Sequence, residues 1–285
     1  MSVAEHCYLN VGGIRYYYLK LGSGIPVLML HGFPENCGSY SKNQQALVAA
    51  GFQVIVPDLK GYGQTSKPLP GQEFGDYRMS VISLEIRDFV RALGFQKMHV
   101  VGHDWGGVIL SAMIHQCPEV IDQAVLLNAP FRRFHPLRPR HIYYFNMPGL
   151  VERRFKTDPH ELIGGIFDYW TATPAAFSRL EIVDYIVAFQ TQRSFECAMG
   201  YYRALGKDLG FMWSAFRAPL PSPGPPQTLI IWGCKDPIMP TCVGKWAHKD
   251  IPGSQLELID DAGHFVHREA PERVNELMVS FFSGS

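Results

Sequence analysis

The stretch Val100-Val101-Gly102-His103-Asp104-Trp105-Gly106-Gly107 decides how this chain folds. An apolar run leads into it, and a run of small and apolar residues follows. That order predicts a strand that enters a helix through a turn in which Gly102 and Gly106 permit close backbone approach. The turn would lift Asp104 to the edge of a sheet, at a helix N-terminus that favours negative charge. This is the pattern of a nucleophile elbow with an aspartate in the reactive position, although Asp104 would also suit a simple helix cap.

The composition limits the classes of protein to consider. The 285 residues are 47% hydrophobic and 18% charged, which suits a globular chain with a large core. Net charge is formally zero without a basic block, so neither nucleic acid nor an anionic membrane is an expected partner. The apolar runs are too short to span a bilayer, and the first ten residues lack a signal-peptide pattern, which predicts a cytoplasmic protein. The six cysteines form no C-x-x-C pair, so we expect reduced thiols and no metal site.

Short apolar runs, typical of strands covered on both faces, alternate with helical periodicity. The runs lie at 26–30, 52–56, 98–101, 120–127, 227–232 and 255–259. This alternation predicts an α/β protein with a mostly parallel, doubly wound sheet. Between 131 and 216 the pattern becomes aromatic-rich and helical, and a proline-dense link at 218–226 follows. We therefore expect a core domain formed by 1–130 and 217–285, with a helical cap domain at 131–216 inserted after the strand that follows the elbow helix.

Two loops after late strands carry the partners that Asp104 would need. Asp236 follows the strand at 227–232, and His264 follows the strand at 255–259. The order nucleophile, acid, histidine brings all three groups to one edge of the sheet. His264 could then act as a general base whose tautomer Asp236 fixes. The plainer alternatives are a helix-capping Asp236 and a histidine that only packs.

Five stretches resemble the α/β-hydrolase fold and, within it, the epoxide hydrolases and the related haloalkane and haloacetate dehalogenases. They are His31-Gly32-Phe33-Pro34-Glu35, Asp58 through Gly61-Tyr62-Gly63 to Ser66, Gly102 to Gly107, Trp232-Gly233 through Asp236, and Gly263-His264-Phe265. Together they cover the expected core domain almost end to end. The resemblance implies that the backbone amides of Phe33 and Trp105 form the oxyanion site.

An aspartate nucleophile changes the reaction that such an elbow supports. A serine alkoxide adds to a carbonyl carbon, whereas a carboxylate displaces a leaving group at an sp³ carbon. The product is an alkyl ester of Asp104, which a water activated by His264 can hydrolyse. The expected substrates are therefore epoxides or compounds with a carbon–halogen bond, and neither a metal nor an organic cofactor is needed.

The leaving group separates these two classes of substrate. Epoxide opening creates an alkoxide that needs a donor, which in epoxide hydrolases is usually a pair of cap tyrosines. Gly200-Tyr201-Tyr202-Arg203 resembles one of the two cap motifs and predicts Tyr202 as a donor. The other motif matches residues 141–149 and predicts His141 in that role. If the register slips, Tyr143 or Tyr144 takes the donor role instead, and Tyr144 is also a candidate substrate-binding residue. An imidazole donor would add a pH dependence near neutrality; either cap side chain could instead only pack.

A dehalogenase is the second hypothesis. Trp105 offers an indole N–H to a halide, and Trp170 and Trp213 lie in the insert. Against it, residue 33 is Phe where haloalkane dehalogenases have Asn or Glu, and Trp105 stands where haloacetate dehalogenases have Arg. Some relatives place the acid residue directly after the strand at 120–127, but residue 128 here is Asn. Asp236 is therefore the expected acid.

A third hypothesis is a non-catalytic ligand receptor on the same fold. The complete set of Asp104, Asp236 and His264 argues against it, since a receptor does not need all three. We therefore predict an epoxide hydrolase whose partners are a small apolar epoxide and water. Substrate size, enantiopreference and the choice between monomer and homodimer stay open.

Overall fold

The computed structural model describes residues 2–73, 75–135, 140–191, 193–208, 210–211, 214–215, 218–220 and 224–284. The strands are β1 (Glu5–Val11), β2 (Ile14–Leu21), β3 (Ile25–Leu30), β4 (Phe52–Pro57), β5 (Met98–His103), β6 (Ile121–Leu127), β7 (Gln227–Gly233) and β8 (Gln255–Ile259). Within these ranges they form a single sheet in the order β1-β2-β4-β3-β5-β6-β7-β8. β2 pairs antiparallel with both β1 and β4, and every later pairing is parallel.

The helices follow the strands in alternation. They are α1 (Gln44–Ala49), α2 (Met79–Ala92), α3 (Trp105–Gln116), α4 (Arg140–Phe145), α5 (Leu150–Thr157), α6 (Gly165–Trp170), α7 (Arg179–Gln190), α8 (Ser194–Ala204), α9 (Thr241–Asp250), α10 (Val266–Glu269) and α11 (Pro271–Ser283). A π-helical turn (His160–Gly164) precedes α6, and short 3₁₀ turns complete the connections. None of the described helices is both long and apolar enough to cross a membrane.

Two apolar layers cover the two faces of the sheet. Successive strand residues point to opposite faces, so Val27 and Met29 pack with α1 and α11, whereas Leu28 and Leu30 pack with α2, α3 and α9. Because both faces are buried, the central strands are continuous apolar runs rather than alternating ones. The predicted mostly parallel sheet with helices on both faces is confirmed.

Two details of the N-terminal part differ from the expectation. β1 forms a hairpin with β2, but most of its side chains are exposed or half-buried, so its sequence lacks the apolar pattern of a buried strand. After β3 the helical segment is divided into a 3₁₀ turn (Cys37–Tyr40) and α1, rather than forming the single helix that the predicted alternation implies. The interruption falls at an asparagine, Asn43, whose buried amide donates to the carbonyl of His267 and to the side chain of Asn275.

Helices α4 to α8 lie in sequence between β6 and β7, and the described residues there contain no strand. They pack over the carboxyl ends of the central strands. The Tyr201 hydroxyl of α8 donates to the carbonyl of Lys60 at 2.8 Å, and the ring of Phe189 lies 5.5 Å from that of Phe33. Part of the proline-dense link (221–223) and Trp213 lie outside the described residues.

Candidate active site

Asp104 occupies the sharp turn between β5 and α3, with a φ of 48° that is uncommon for a residue other than glycine. The turn has no room for side chains at its two glycines. A Cβ on Gly102 would lie 2.5 Å from the carbonyl oxygen of Gly106, and one on Gly106 would lie 2.1 Å from that of Leu30. The Asp104 side chain does not cap α3. Its Oδ1 instead accepts a hydrogen bond from the Phe33 amide at 2.9 Å.

The structure brings Asp104, Asp236 and His264 together. His264 Nε2 lies 3.5 Å from Asp104 Oδ2. On the other side of the ring, Nδ1 lies 2.8 Å from Asp236 Oδ2 and donates to it, since a carboxylate only accepts. Asp236 Oδ1 accepts from the amides of Ile238 and Met239 at 2.9 and 2.8 Å, which fixes the carboxylate in its loop. All three side chains are at least 88% shielded from solvent, with only Asp104 exposing 12% of its side chain.

Asn128 is a further residue of this site, and its structural role was not predicted. It follows β6 with a φ of 39°. Its amide nitrogen donates to Asp236 Oδ2 at 2.8 Å, and its Oδ1 accepts from the Gly233 amide at 2.9 Å. Asn128 thereby orients the acid residue on the neighbouring strand. The signal in the sequence was its position directly after β6, the strand that pairs with β7.

The buried His264 imidazole lies between the carboxylates of Asp104 and Asp236. Burial opposes the imidazolium form of His264, but the Asp236 and Asp104 carboxylates outweigh burial and raise its pKa to about 10. Burial also opposes the charged form of Asp104, yet the interaction with His264 brings its pKa below the ordinary value. The resting site therefore holds an imidazolium between two carboxylates, with Asp104 in its ionised form.

Buried donors from the helical insert face Asp104 across a cavity. Tyr202 of α8 lies edge to face with the Trp105 ring at 4.8 Å, and His141 of α4 lies 5.9 Å from the Tyr202 ring. The Tyr202 hydroxyl, the Trp105 indole nitrogen and His141 Nδ1 are buried without a hydrogen-bond partner among the described residues. Buried polar atoms are nearly always paired, so three unpaired ones around a carboxylate are typical of a ligand site.

The remaining cavity wall is apolar. Its side chains come from α3, α9, the loops after β6 and β7 and the start of the insert: Val108, Pro130, Phe134, Ile238, Met239 and Val243. His135 and Ile142 complete the described lining. An apolar cavity with a few convergent polar groups fits a small, largely hydrophobic ligand.

The protonation of the two cap residues follows from their burial. Burial lowers the pKa of His141 to about 4, against a weaker opposing effect of Asp104. The pH dependence near neutrality that an ordinary imidazole would add is therefore not expected, because His141 is neutral there and still has an N–H. Burial and the Asp104 charge raise the pKa of Tyr202 well above its ordinary value, so its hydroxyl stays protonated.

Tyr144, expected as a substrate-binding residue if the register slipped, is not brought to the cavity. His141 and Phe145 are one turn apart in α4 and face inward, with the Phe145 ring 4.8 Å from Tyr202. Tyr143 is 62% exposed. Tyr144 is partly buried beside Phe145 and is not among the described lining residues. Of His141, Tyr143 and Tyr144, His141 is the one that lines the described part of the cavity.

A second buried network lies behind His264. His103 Nε2 donates to the carbonyl of His264 at 3.0 Å, and its Nδ1 lies 3.2 Å from Glu35 Oε2. His267 Nε2 lies 2.9 Å from the Ser39 hydroxyl and 3.6 Å from Glu35 Oε1. Glu35, His103 and His267 are also the one group of His, Cys, Asp and Glu side chains in the described ranges with metal-compatible spacing. The side chains of Glu35, His103 and His267 contact one another and neighbouring polar groups, so they form a buried hydrogen-bond network.

Comparisons with known proteins agree with the observed fold. The family described as alpha/beta hydrolase fold matches residues 25–162. The AB hydrolase superfamily protein YfhM of Bacillus subtilis is 26% identical over 289 residues, covering 96% of each chain. Human Epoxide hydrolase 4 is 26% identical over 299 residues, covering 98% of this chain and 79% of the relative. The solved structure of an epoxide hydrolase from an endophytic Streptomyces is similar with a TM-score of 0.84 at 25% identity, covering 99% of this chain and 96% of the other. The chain therefore has the α/β-hydrolase fold, and it is similar along nearly its whole length to proteins named as epoxide hydrolases.

Proposed function

We propose that this enzyme hydrolyses epoxides to vicinal diols through an ester of Asp104. The observation that carries the proposal is the arrangement around the cavity, where the ionised Asp104 carboxylate faces the unpaired donors of Tyr202 and His141. A carboxylate attacks saturated carbon, and the two donors suit the alkoxide that ring opening releases. The proposal gives residues 131–216 the role of a cap, since they bring both donors over the core formed by 1–130 and 217–285.

In the first step an Asp104 oxygen attacks one epoxide carbon. Oδ1 is held by the Phe33 amide, so Oδ2 forms the new C–O bond and Oδ1 becomes the ester carbonyl oxygen. The ring C–O bond breaks, its electron pair stays on the oxygen, and that oxygen takes a proton from Tyr202 while His141 donates a hydrogen bond. The apolar wall at 238–243 would hold the substituent of the epoxide.

In the second step a water attacks the ester carbon, Asp104 Cγ, and passes one proton to His264 Nε2. The Cγ–Oδ2 bond then breaks, and the diol leaves with Oδ2, which takes the remaining proton of the water. Ester formation removes the Asp104 charge, one of the two that raise the pKa of His264, and so lowers that pKa. The imidazolium of the resting enzyme must first lose its proton, which replaces the one that Tyr202 gave up, before His264 can act as a base. The oxyanion would be held by the amides of Phe33 and Trp105, the latter being the first residue of α3.

The two steps should differ in their pH dependence. Hydrolysis of the ester needs neutral His264, so its rate should rise with pH and level off above the lowered pKa of the ester form. Alkylation should be insensitive between about pH 6 and 9, because Asp104 stays ionised and both cap donors stay neutral over that range. Single-turnover rates at several pH values measure both steps. A hydrolysis rate that falls as pH rises, or an alkylation rate that titrates near neutrality, would contradict this assignment.

Replacing Tyr202 tests the donor directly. Tyr202→Phe should slow alkylation by about 10- to 100-fold, since one of two donors to the alkoxide is lost. Hydrolysis of an ester already formed should change by less than about threefold, because it uses His264. Tyr201→Phe is the matched control, since that neighbouring hydroxyl donates to the Lys60 carbonyl rather than to the cavity. Equal alkylation rates in the Tyr202 variant and the wild type would remove Tyr202 from this role.

A dehalogenase is the second candidate, favoured by the unpaired indole nitrogen of Trp105 beside the nucleophile. Parallel assays with an aryl or alkyl epoxide and a bromoalkane separate the two. We expect diol formation without bromide release. Bromide release without diol would contradict the epoxide proposal and support the alternative, and turnover of neither would leave the receptor hypothesis as the better account.

A further inference from the structure

Glu269, the last residue of α10, accepts hydrogen bonds from two separate segments of backbone. Its Oε2 accepts from the amides of Ala172 (2.7 Å), Thr173 (2.9 Å) and Gly263 (2.9 Å), and its Oε1 accepts from that of Phe265 (3.1 Å). Two of these amides flank His264. The other two follow Trp170 in the helical insert. One carboxylate thus joins the loop of the base to the insert.

The two segments are also in direct contact. The His264 amide donates to the carbonyl of Trp170 at 3.0 Å, and the Trp170 indole lies edge to face with the His264 ring at 5.2 Å. There is no space between them at Gly263, where a Cβ would lie 2.7 Å from the Ala172 nitrogen. The same Trp170 ring lies 5.0 Å from His141. A shift of one segment would therefore move the base relative to the cap side of the cavity.

We propose that Glu269 is a positioning residue that sets His264 for hydrolysis of the ester. The inference rests on the proposed function for its kinetic consequence, but the hydrogen bonds themselves do not depend on it. Only a carboxylate has two acceptor oxygens for four N–H donors, and its negative charge strengthens each bond. The Trp170 ring also contacts His141, but Asp104 and Tyr202 lie outside these two segments, so the larger effect should fall on the second chemical step.

Glu269→Gln tests this with little change of shape. A glutamine turns one acceptor oxygen into an NH₂ group, which would face at least one backbone donor. Hydrogen exchange at Ala172, Thr173 and the loop 263–265 should become at least about tenfold faster, as expected when a local restraint is lost. In single-turnover experiments with an epoxide, ester hydrolysis should slow by about tenfold or more while alkylation changes by less than about threefold.

Glu272→Gln is the matched control, an exposed glutamate three residues away on α11. Should the glutamine variant not fold, Glu269→Asp replaces it, because a shorter carboxylate cannot reach both segments and should give the same selective loss. Unchanged exchange and rates would overturn the proposal. So would an equal fall of both rates, which marks a merely structural role. If the wild type opens no epoxide, the proposed function fails, while the exchange measurement still decides whether Glu269 joins the two segments.

Discussion

Asp104→Asn should abolish epoxide turnover, with a loss of at least about 10⁴-fold in kcat. The amide is nearly the same size and can still accept from the Phe33 amide, so the elbow should fold unchanged. It is not a nucleophile toward saturated carbon, because its oxygen carries no full negative charge. Diol formation with a styrene-type epoxide, under conditions where a slow enzyme would still be detected, measures the loss.

The matched control is Asp261→Asn, which changes an exposed carboxylate close in sequence to His264. Asp261 pairs with Lys235 at the surface, and its loss should leave kcat within about twofold, as for most surface substitutions. Diol formation by the Asp104 variant at more than about a tenth of the wild-type rate would show that another group attacks the epoxide.

His264→Gln should stop the reaction after the first step. Glutamine cannot accept a proton from water, so steady-state turnover should fall by at least about 10³-fold. Alkylation should continue, since Asp104 stays ionised and keeps the Phe33 hydrogen bond. The variant should therefore accumulate one covalently bound substrate per chain. Intact-mass measurement after incubation with the epoxide detects the adduct, and peptide mapping should place it on Asp104.

His160→Gln serves as the control, since His160 is exposed on the insert and has no role in the site. It should turn over normally and carry no adduct. Two outcomes would count against the assignment of the base. One is full turnover by the His264 variant, and the other is complete loss of alkylation together with hydrolysis.

Much of this architecture could be predicted from the sequence because it follows from local rules. The buried strands are short apolar runs, and the elbow needs glycine at 102 and 106 because other backbone atoms approach them closely. The order of Asp104, Asp236 and His264 along the chain placed them at one sheet edge, where the structure has them within hydrogen-bonding or ion-pair distance.

Other features depend on contacts that no local pattern encodes. β1 is exposed at the sheet edge, so it has no apolar signature. The choice of His141 over Tyr144 depends on the direction in which α4 faces. Asn128 and Glu269 act through hydrogen bonds to residues more than 90 positions away. Such partners become visible only when the sheet and the insert are assembled.

A single turnover in H₂¹⁸O, with enzyme in excess over epoxide, tests the ester mechanism most directly. If Asp104 attacks, the oxygen added to the first diol comes from the aspartate, and water replaces it in the carboxylate. The account predicts an unlabelled diol and a gain of about 2 Da on the peptide that contains Asp104. A labelled diol with an unlabelled Asp104 would show that water attacks the epoxide directly, and would contradict the account.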